Sequence, residues 1–276
     1  MSAKNNRSVP IAYHLVAHIE YPHPALEKPL EYQRLWRRLT EAFPEVVALV
    51  LMPDHLHLII PSKENDPAEL QSILRAVLHG GRWGSPPAPQ PIPNISHLRR
   101  HVRYVHLNPC RDELCDDPLR WPWSTHRDYV GAAAFPASDE PKRMNLAQRR
   151  AFHKYVSSDP SVHPMGTAAP MAPQMPALID LSVVERAAEV VCRAPTGAFS
   201  KKGRLRARLM AILAGPLGVP AAVVARHFGV HPTSVRPEVC SGFNDPILRP
   251  LIMTLTDERL LPSLLSRDSL ENRNLH

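Results

Sequence analysis

The 276-residue chain has few of the features that define membrane or secreted proteins. It has no apolar run near the roughly 20 residues that a membrane-spanning helix needs, and its first ten residues lack the apolar stretch of a signal peptide. Cys110, Cys115, Cys192 and Cys240 show neither the C-x-x-C pairs of a zinc site nor the density of a disulfide scaffold. These absences predict a cytoplasmic protein with reduced thiols.

Glycine is also scarce, with 11 residues against 31 prolines. The stretch 157–176 is so rich in Pro, Ala and Ser that it predicts a linker rather than packed structure. Length favours one or two domains. We therefore predict a first domain over 1–131, a basic helix and Pro/Ala-rich linker over 132–178, and a helical domain over 179–276.

The formal net charge of +7 is unevenly distributed along the chain. Residues 1–131 carry 15 Lys+Arg and 14 Asp+Glu, whereas residues 132–276 carry 18 and 12. Such an excess favours a polyanionic partner for the C-terminal part.

Residues 220–239 have the outline of a helix-turn-helix, with a first helix, a turn at Gly229 and a second helix from His231 or Pro232. Ala/Val-rich helices produce such outlines readily by chance, but the basic run 201–208 nearby favours duplex DNA binding. The candidate DNA contacts in this domain are Lys201, Lys202, Arg204, Arg226 and Arg236.

Two histidines one residue apart, His55 and His57, open an apolar run after Pro53-Asp54. The proline marks a turn, so residues 46–52 and 55–60 predict an antiparallel hairpin. Side chains alternate in a strand, so one face is apolar and the other carries both imidazoles. Neutral histidine is the commonest metal ligand, so the pair predicts a metal-binding site. Such a site needs a third ligand and a nucleophile from elsewhere in the chain. Taken alone, such a pair is more often incidental.

Residues 96–108 predict a helix that ends before Pro109. Its apolar stripe includes Val102 and Val105, and the opposite face carries Tyr104 and Asn108. Basic side chains surround this tyrosine. They are either phosphate contacts or a solvated helix face, and the candidates are Arg99, Arg100 and Arg103.

Three motifs occur in a specific order: MPDHLHLII at 52–60, YVHLNP at 104–109 and DPLRWPWSTHRDYVG at 117–131. Together they resemble the single-tyrosine HUH transposases, in particular the REP-associated tyrosine transposases of bacteria, over roughly residues 10–131. The resemblance implies a ferredoxin-like antiparallel sheet with helices on one face. The expected fold class is therefore α/β (α+β), followed by an all-helical helix-turn-helix domain.

The resemblance also implies a site, with His55 and His57 as metal ligands, Asn108 as the third ligand and Tyr104 as the nucleophile. The implied reaction is metal-dependent cleavage and rejoining of single-stranded DNA through a 5′-phosphotyrosine, in transposition or in processing of palindromic repeats. The implied cofactor is Mg²⁺ or Mn²⁺, and two imidazoles with one amide oxygen suit Mn²⁺ better. Asn108 has an alternative, local role, because Asn before Pro commonly hydrogen-bonds its own helix end.

The expected partners are single-stranded or hairpin DNA, and duplex DNA through the C-terminal domain. We expect a bacterial, nucleoid-associated protein that is a monomer or a homodimer and binds no membrane. The segment before the tyrosine helix is shorter than is usual in the family. Two alternatives therefore stay open. One is a DNA-binding regulator with an inactive HUH scaffold, and the other is a metal-dependent phosphoesterase without a covalent step.

Overall fold

The computed structural model describes residues 9–20, 26–62, 65–171, 173–174, 180–235, 242 and 244–261. In this part of the chain the strands are β1 (Ala12–His18), β2 (Ala48–Leu51), β3 (His55–Pro61) and β4 (Gln90–Ile92). The α-helices are α1 (Pro29–Ala42), α2 (Pro67–Leu78), α3 (Ile95–Arg111), α4 (His126–Val130), α5 (Glu140–Arg143), α6 (Leu146–Ser157), α7 (Leu181–Val191), α8 (Arg204–Ala214), α9 (Ala221–Phe228) and α10 (Leu248–Thr256). None of these helices combines the length and apolar character needed to cross a membrane.

The four strands form one antiparallel sheet in the order β2-β3-β1-β4, which confirms the predicted mixed α/β class and antiparallel hairpin. Strand β1 pairs with β3 along its whole length and sets His18 opposite His55. The short middle segment still supplies an edge strand, β4, which contains Pro91. An edge position tolerates proline because one side of the strand needs no ladder hydrogen bonds.

Helices cover both faces of the sheet, so the expectation of helices on one face is wrong. Helices α1 and α2 pack on the face that carries Leu56 and Leu58, whereas α3 packs on the face that carries Ile59. All four residues of β2 are buried. A strand that is apolar on both faces needs a layer on each side, and α3 supplies the second with Val102 and Val105.

Helix α3 continues through Pro109 to Arg111, so the prediction that it ends before the proline is wrong. Proline has no N–H, and the carbonyl of Val105, four residues back, therefore loses its usual donor. The Asn108 side chain compensates, since Nδ2 donates to Val105 O at 3.4 Å and to Tyr104 O at 3.0 Å. The local role that was the alternative for Asn108 is thus present.

The C-terminal helices pack against the N-terminal part, although the boundaries at 131 and 179 stay predictions. Leu119 and Val130 form an apolar cluster with Met253 and Leu260. Part of the expected linker is packed as well, because Val162 is buried in a cluster with residues of α3 and α6. The C-terminal part is therefore docked, which differs from a module behind an unpacked linker.

The expected helix-turn-helix is only partly visible in the described residues. Helix α9 ends at Phe228, and Gly229 after it adopts the predicted turn with a positive φ of 61°. A single 3-10 turn, Pro232–Ser234, follows where the second helix was expected to begin. Residue Arg236 lies outside the described residues.

Candidate functional site

Four imidazoles form a row across β1 and β3 on the face that α3 covers; we call His14, His57, His55 and His18 the histidine row. Successive ring centroids are 5.1 Å (His14 to His57), 5.0 Å (His57 to His55) and 5.5 Å (His55 to His18) apart. The register places His18 opposite His55 and Val16 opposite His57, so His14 meets His57 diagonally. The predicted pair is therefore extended by two histidines of the neighbouring strand.

His55 has a carboxylate partner at one ring nitrogen. Its Nδ1 lies 2.8 Å from Oδ1 of Asp54, the residue just before the strand. When Nδ1 carries the proton and donates a hydrogen bond to Asp54, Nε2 of His55 keeps a lone pair that can bind a cation. This carboxylate-imidazole arrangement orients histidines that bind metals.

His57 and His14 are both buried, and their rings hydrogen-bond to each other at 3.0 Å between Nδ1 of His57 and Nε2 of His14. Burial, followed by the charges of neighbouring histidines, lowers the pKa of His57 to about 3, against a smaller opposing effect of Asn108. Burial and then His101 lower the pKa of His14 to about 4. Both rings are therefore neutral near pH 7.

Tyr104 is 41% exposed on α3 and contacts the histidine row with its ring. The ring centroid lies 5.5 Å from that of His57, with the planes at 78°, and 6.4 Å from that of His14. A phenol with this exposure can meet a large substrate while its ring stays fixed by the imidazoles. The predicted nucleophile and the predicted metal ligand His57 are thus neighbours.

Asn108 is buried one turn after Tyr104, and its side chain interacts with His57 in a way that raises the pKa of that ring. Its Nδ2 already donates to the two backbone carbonyls of α3. The amide oxygen is the atom left to face the ring, and Nδ1 of that ring is engaged with His14. The proline in the helix therefore helps to turn an amide oxygen towards His57.

Two arginines beside Tyr104 share one carboxylate. The guanidinium carbon of Arg111 lies 5.1 Å from the centroid of the Tyr104 ring. Asp159, in the loop after α6, accepts hydrogen bonds at 3.2 Å from both Arg103 and Arg111. The loop after α6 thus holds the guanidinium of Arg111 next to the Tyr104 ring.

The other predicted DNA contacts lie apart from the histidine row. Arg99 and Arg100 are exposed on the N-terminal half of α3. Three of those predicted in the C-terminal part, Lys201, Lys202 and Arg204, are exposed at the start of α8, and Arg226 is exposed on α9. Their roles stay predictions.

The donor atoms at the row limit how a metal could be held. Among the described residues no three His, Cys, Asp or Glu side chains are arranged to share a metal ion. A cation at His55 and His57 would therefore need an uncharged third ligand, and the Asn108 oxygen is such a donor beside His57. Two imidazoles and one amide oxygen fit Mn²⁺ better than Mg²⁺.

Sequence reasoning missed several residues of this site. His14 and His18 lie four apart in β1, and the period of two places both on one face, so the sequence carries a signal for them. Arg111 follows the proline that was expected to end its helix. Asp159 lies in the expected linker, and only the tertiary structure brings it to α3.

Comparisons with known proteins give one structural likeness. No protein-family model matches the chain, and no curated protein matches it. The chain is similar to a solved structure of a REP-associated tyrosine transposase bound to a REP hairpin, with 23% identity and a TM-score of 0.38. The match covers 46% of this chain and 85% of that one. The case for a function therefore rests on the residues of the site.

Proposed function

We propose that the chain is a metal-dependent single-strand DNA endonuclease and strand transferase that acts through Tyr104. The observation that carries the proposal is the position of this exposed phenol against His57, beside His55 and Asn108. The order of motifs in the sequence supports the same reaction. The β-α-β-β-α-β order of the first six elements and the antiparallel sheet support a ferredoxin-like scaffold.

In the proposed reaction the phenolic oxygen of Tyr104 attacks a backbone phosphorus. The bond from phosphorus to the 3′-oxygen breaks, so the downstream strand stays on the protein as a 5′-phosphotyrosine and the upstream strand leaves with a 3′-hydroxyl. The covalent link preserves the phosphodiester energy. Attack by that hydroxyl reverses the step without ATP, which permits strand transfer.

The residues around Tyr104 supply the proton and charge balance. An ordinary tyrosine has a pKa of about 10, so the phenol loses its proton as it attacks. Arg111, over the ring, favours the developing negative charge on the phenol and can contact the phosphate. His101, half-buried three residues before Tyr104 on α3, is the candidate proton acceptor by position.

His55, His57 and Asn108 are the residues that would hold Mn²⁺ or Mg²⁺ in this proposal. Such a cation supplies charge neutralisation at the phosphate while the 3′-oxygen departs. The protein's own contribution is to keep His57 neutral through burial and to fix the orientation of both imidazoles, with Asp54 on His55 and His14 on His57.

The proposed partner is single-stranded DNA next to a hairpin, and the exposed basic residues of α8 and α9 are proposed to bind duplex DNA. Phosphate contacts of this kind position DNA without reading its sequence. The hairpin stem is a duplex that the C-terminal part can hold while the single strand lies at Tyr104.

The test uses the full chain, Mn²⁺ and a panel of 3′-end-labelled hairpin oligonucleotides. A protein-DNA band that survives denaturing electrophoresis is expected for the wild type and not for Tyr104→Phe. Cleavage that persists in Tyr104→Phe would instead indicate a phosphoesterase. Duplex binding that survives His55→Ala, with no nicking of any oligonucleotide by the wild type, would indicate a regulator.

A further inference from the structure

His14 is the residue of the histidine row that makes a direct hydrogen bond to His57. It lies at the diagonal position on β1, its Nε2 is 3.0 Å from Nδ1 of His57, and its side chain is 5% exposed. The two ring planes are 22° apart. In a buried pair of neutral imidazoles, one of the two facing nitrogens carries a proton and the other does not, because a hydrogen bond needs one donor and one acceptor.

The contact belongs to a chain of four side chains. Asn108 of α3 interacts with His57, His57 hydrogen-bonds to His14, and the Gln90 amide interacts with His14 from the opposite position on β4. The contact with Gln90 is loose, since Nδ1 of His14 is buried without a hydrogen bond of good geometry. At the other end of the chain, the Asn108 side chain is held in place by the two backbone carbonyls of α3.

The anchored Asn108 favours one direction of the hydrogen bonds in the metal-free protein. Nδ2 of Asn108 donates to two backbone carbonyls, so its oxygen is the atom that can accept from Nε2 of His57, the ring nitrogen that His14 does not engage. Nδ1 of His57 is then the acceptor, and Nε2 of His14 is the donor. In this arrangement Nε2 of His57 has no lone pair to offer a cation.

Holding a cation at Nε2 of His57 requires the opposite direction. The proton of His57 must lie on Nδ1, and His14 must accept a hydrogen bond from it at Nε2 while carrying its own proton on Nδ1. Gln90 can accept a hydrogen bond from that Nδ1–H through its amide oxygen. No proton enters or leaves the chain, so the change is one of tautomers and not of charge.

We propose that His14 is a positioning residue that selects the metal-binding tautomer of His57 by accepting a hydrogen bond from its Nδ1–H. This inference rests on the proposed function. A side chain in this place must act both as donor and as acceptor, which His and Gln can do and Leu cannot. Partners of this kind typically change metal affinity by 10–100-fold when they are removed.

The experiment compares the full-length wild type with His14→Leu and His14→Gln. Binding of Mn²⁺ is followed by the loss of the electron paramagnetic resonance signal of the free ion, without DNA. We expect the affinity to fall about 10–100-fold in His14→Leu and only a few-fold in His14→Gln. Thermal unfolding of each variant checks that the fold is kept.

A second measurement needs no substitution. In the Mg²⁺-saturated wild type with ¹⁵N-labelled histidine, nuclear magnetic resonance should detect the proton of His57 on Nδ1. A proton on Nε2 would overturn the proposal, as would an unchanged Mn²⁺ affinity in His14→Leu. A wild type that binds Mn²⁺ with these signatures yet forms no covalent DNA adduct would refute the proposed function and leave the role of His14 standing.

Discussion

Replacing Arg193 with methionine should separate a docked C-terminal part from a tethered one. Arg193 follows α7, and its guanidinium reaches across to the N-terminal part, where Nη2 lies 2.5 Å from Oδ1 of Asp128. Nε donates to Pro122 O at 2.9 Å, and Nη2 also donates to Ser124 O at 3.0 Å. The guanidinium carbon lies 4.0 Å from the centroid of the Trp36 ring. This one side chain thus connects two parts of the sequence that were expected to be independent.

The expected loss of stability follows from burial. The side chains of Arg193 and Asp128 are 5% and 0% exposed. Removing one partner of a buried pair leaves an uncompensated charge and costs about 3–5 kcal/mol. That loss is a large fraction of the roughly 5–15 kcal/mol that stabilises a native protein. Methionine keeps much of the apolar part of the Arg193 side chain, so most of the lost stability comes from the Asp128 carboxylate, which remains buried without its partner.

The assay is urea unfolding of the full chain, followed by fluorescence and circular dichroism. The matched control is Arg37→Met, because Arg37 pairs with Glu41 at 3.8 Å with both side chains about 70% exposed, and it should cost about 0–1 kcal/mol. Adding Asp128→Asn to Arg193→Met should restore part of the stability. A loss for Arg193→Met no larger than that of Arg37→Met would refute the docked arrangement.

Two further predictions concern the tyrosine's surroundings and the interior. Asp159→Asn should release Arg111, so the rate of covalent adduct formation should fall about tenfold or more. The affinity for the hairpin, measured separately, should not fall. An unchanged rate would contradict the positioning of Arg111 by Asp159. Burial lowers the pKa of three core histidines. It lowers the pKa of His106 to about 3. With the help of neighbouring charges, it lowers the pKa of His126 well below the usual value and that of His153 to about 4. The unfolded chain takes up these protons near pH 6.5 and the folded chain does not, so unfolding free energy should fall below pH 6.5 by about 1.4 kcal/mol per pH unit for each histidine. Denaturant titrations at pH 7 and pH 5 test this, and His153→Gln, which cannot titrate there, should lose less stability than the wild type; equal losses would contradict the assignment.

The strand that carries His55 and His57 could be predicted from sequence because its information is local. The side-chain period of two separates Leu56 and Leu58 from the imidazoles whatever the rest of the chain does. The same holds for the start of α2, where Asp66 caps the helix by accepting from Ala68 N. In both cases the residues that decide the structure are neighbours in the chain.

The end of α3 and the cover of the sheet could not be predicted in this way. A proline argues for a helix end, and here a side-chain amide offsets the lost hydrogen bond. Whether the histidine face is open or covered depends on α3, which lies far along the chain from β3. Local propensity carries no information on either point.

The sequence by itself determined the chemical groups of the candidate site: an alternating histidine pair on a strand, and a tyrosine and an asparagine one turn apart on a helix. Only the tertiary structure decided that Tyr104 meets His57, that His14 hydrogen-bonds to His57, and that Asp159 reaches the arginines beside the phenol. The physical reason is range. Spacing within an element follows from backbone geometry, whereas strand register, helix packing and the docking of the C-terminal part depend on contacts between residues that are distant in sequence.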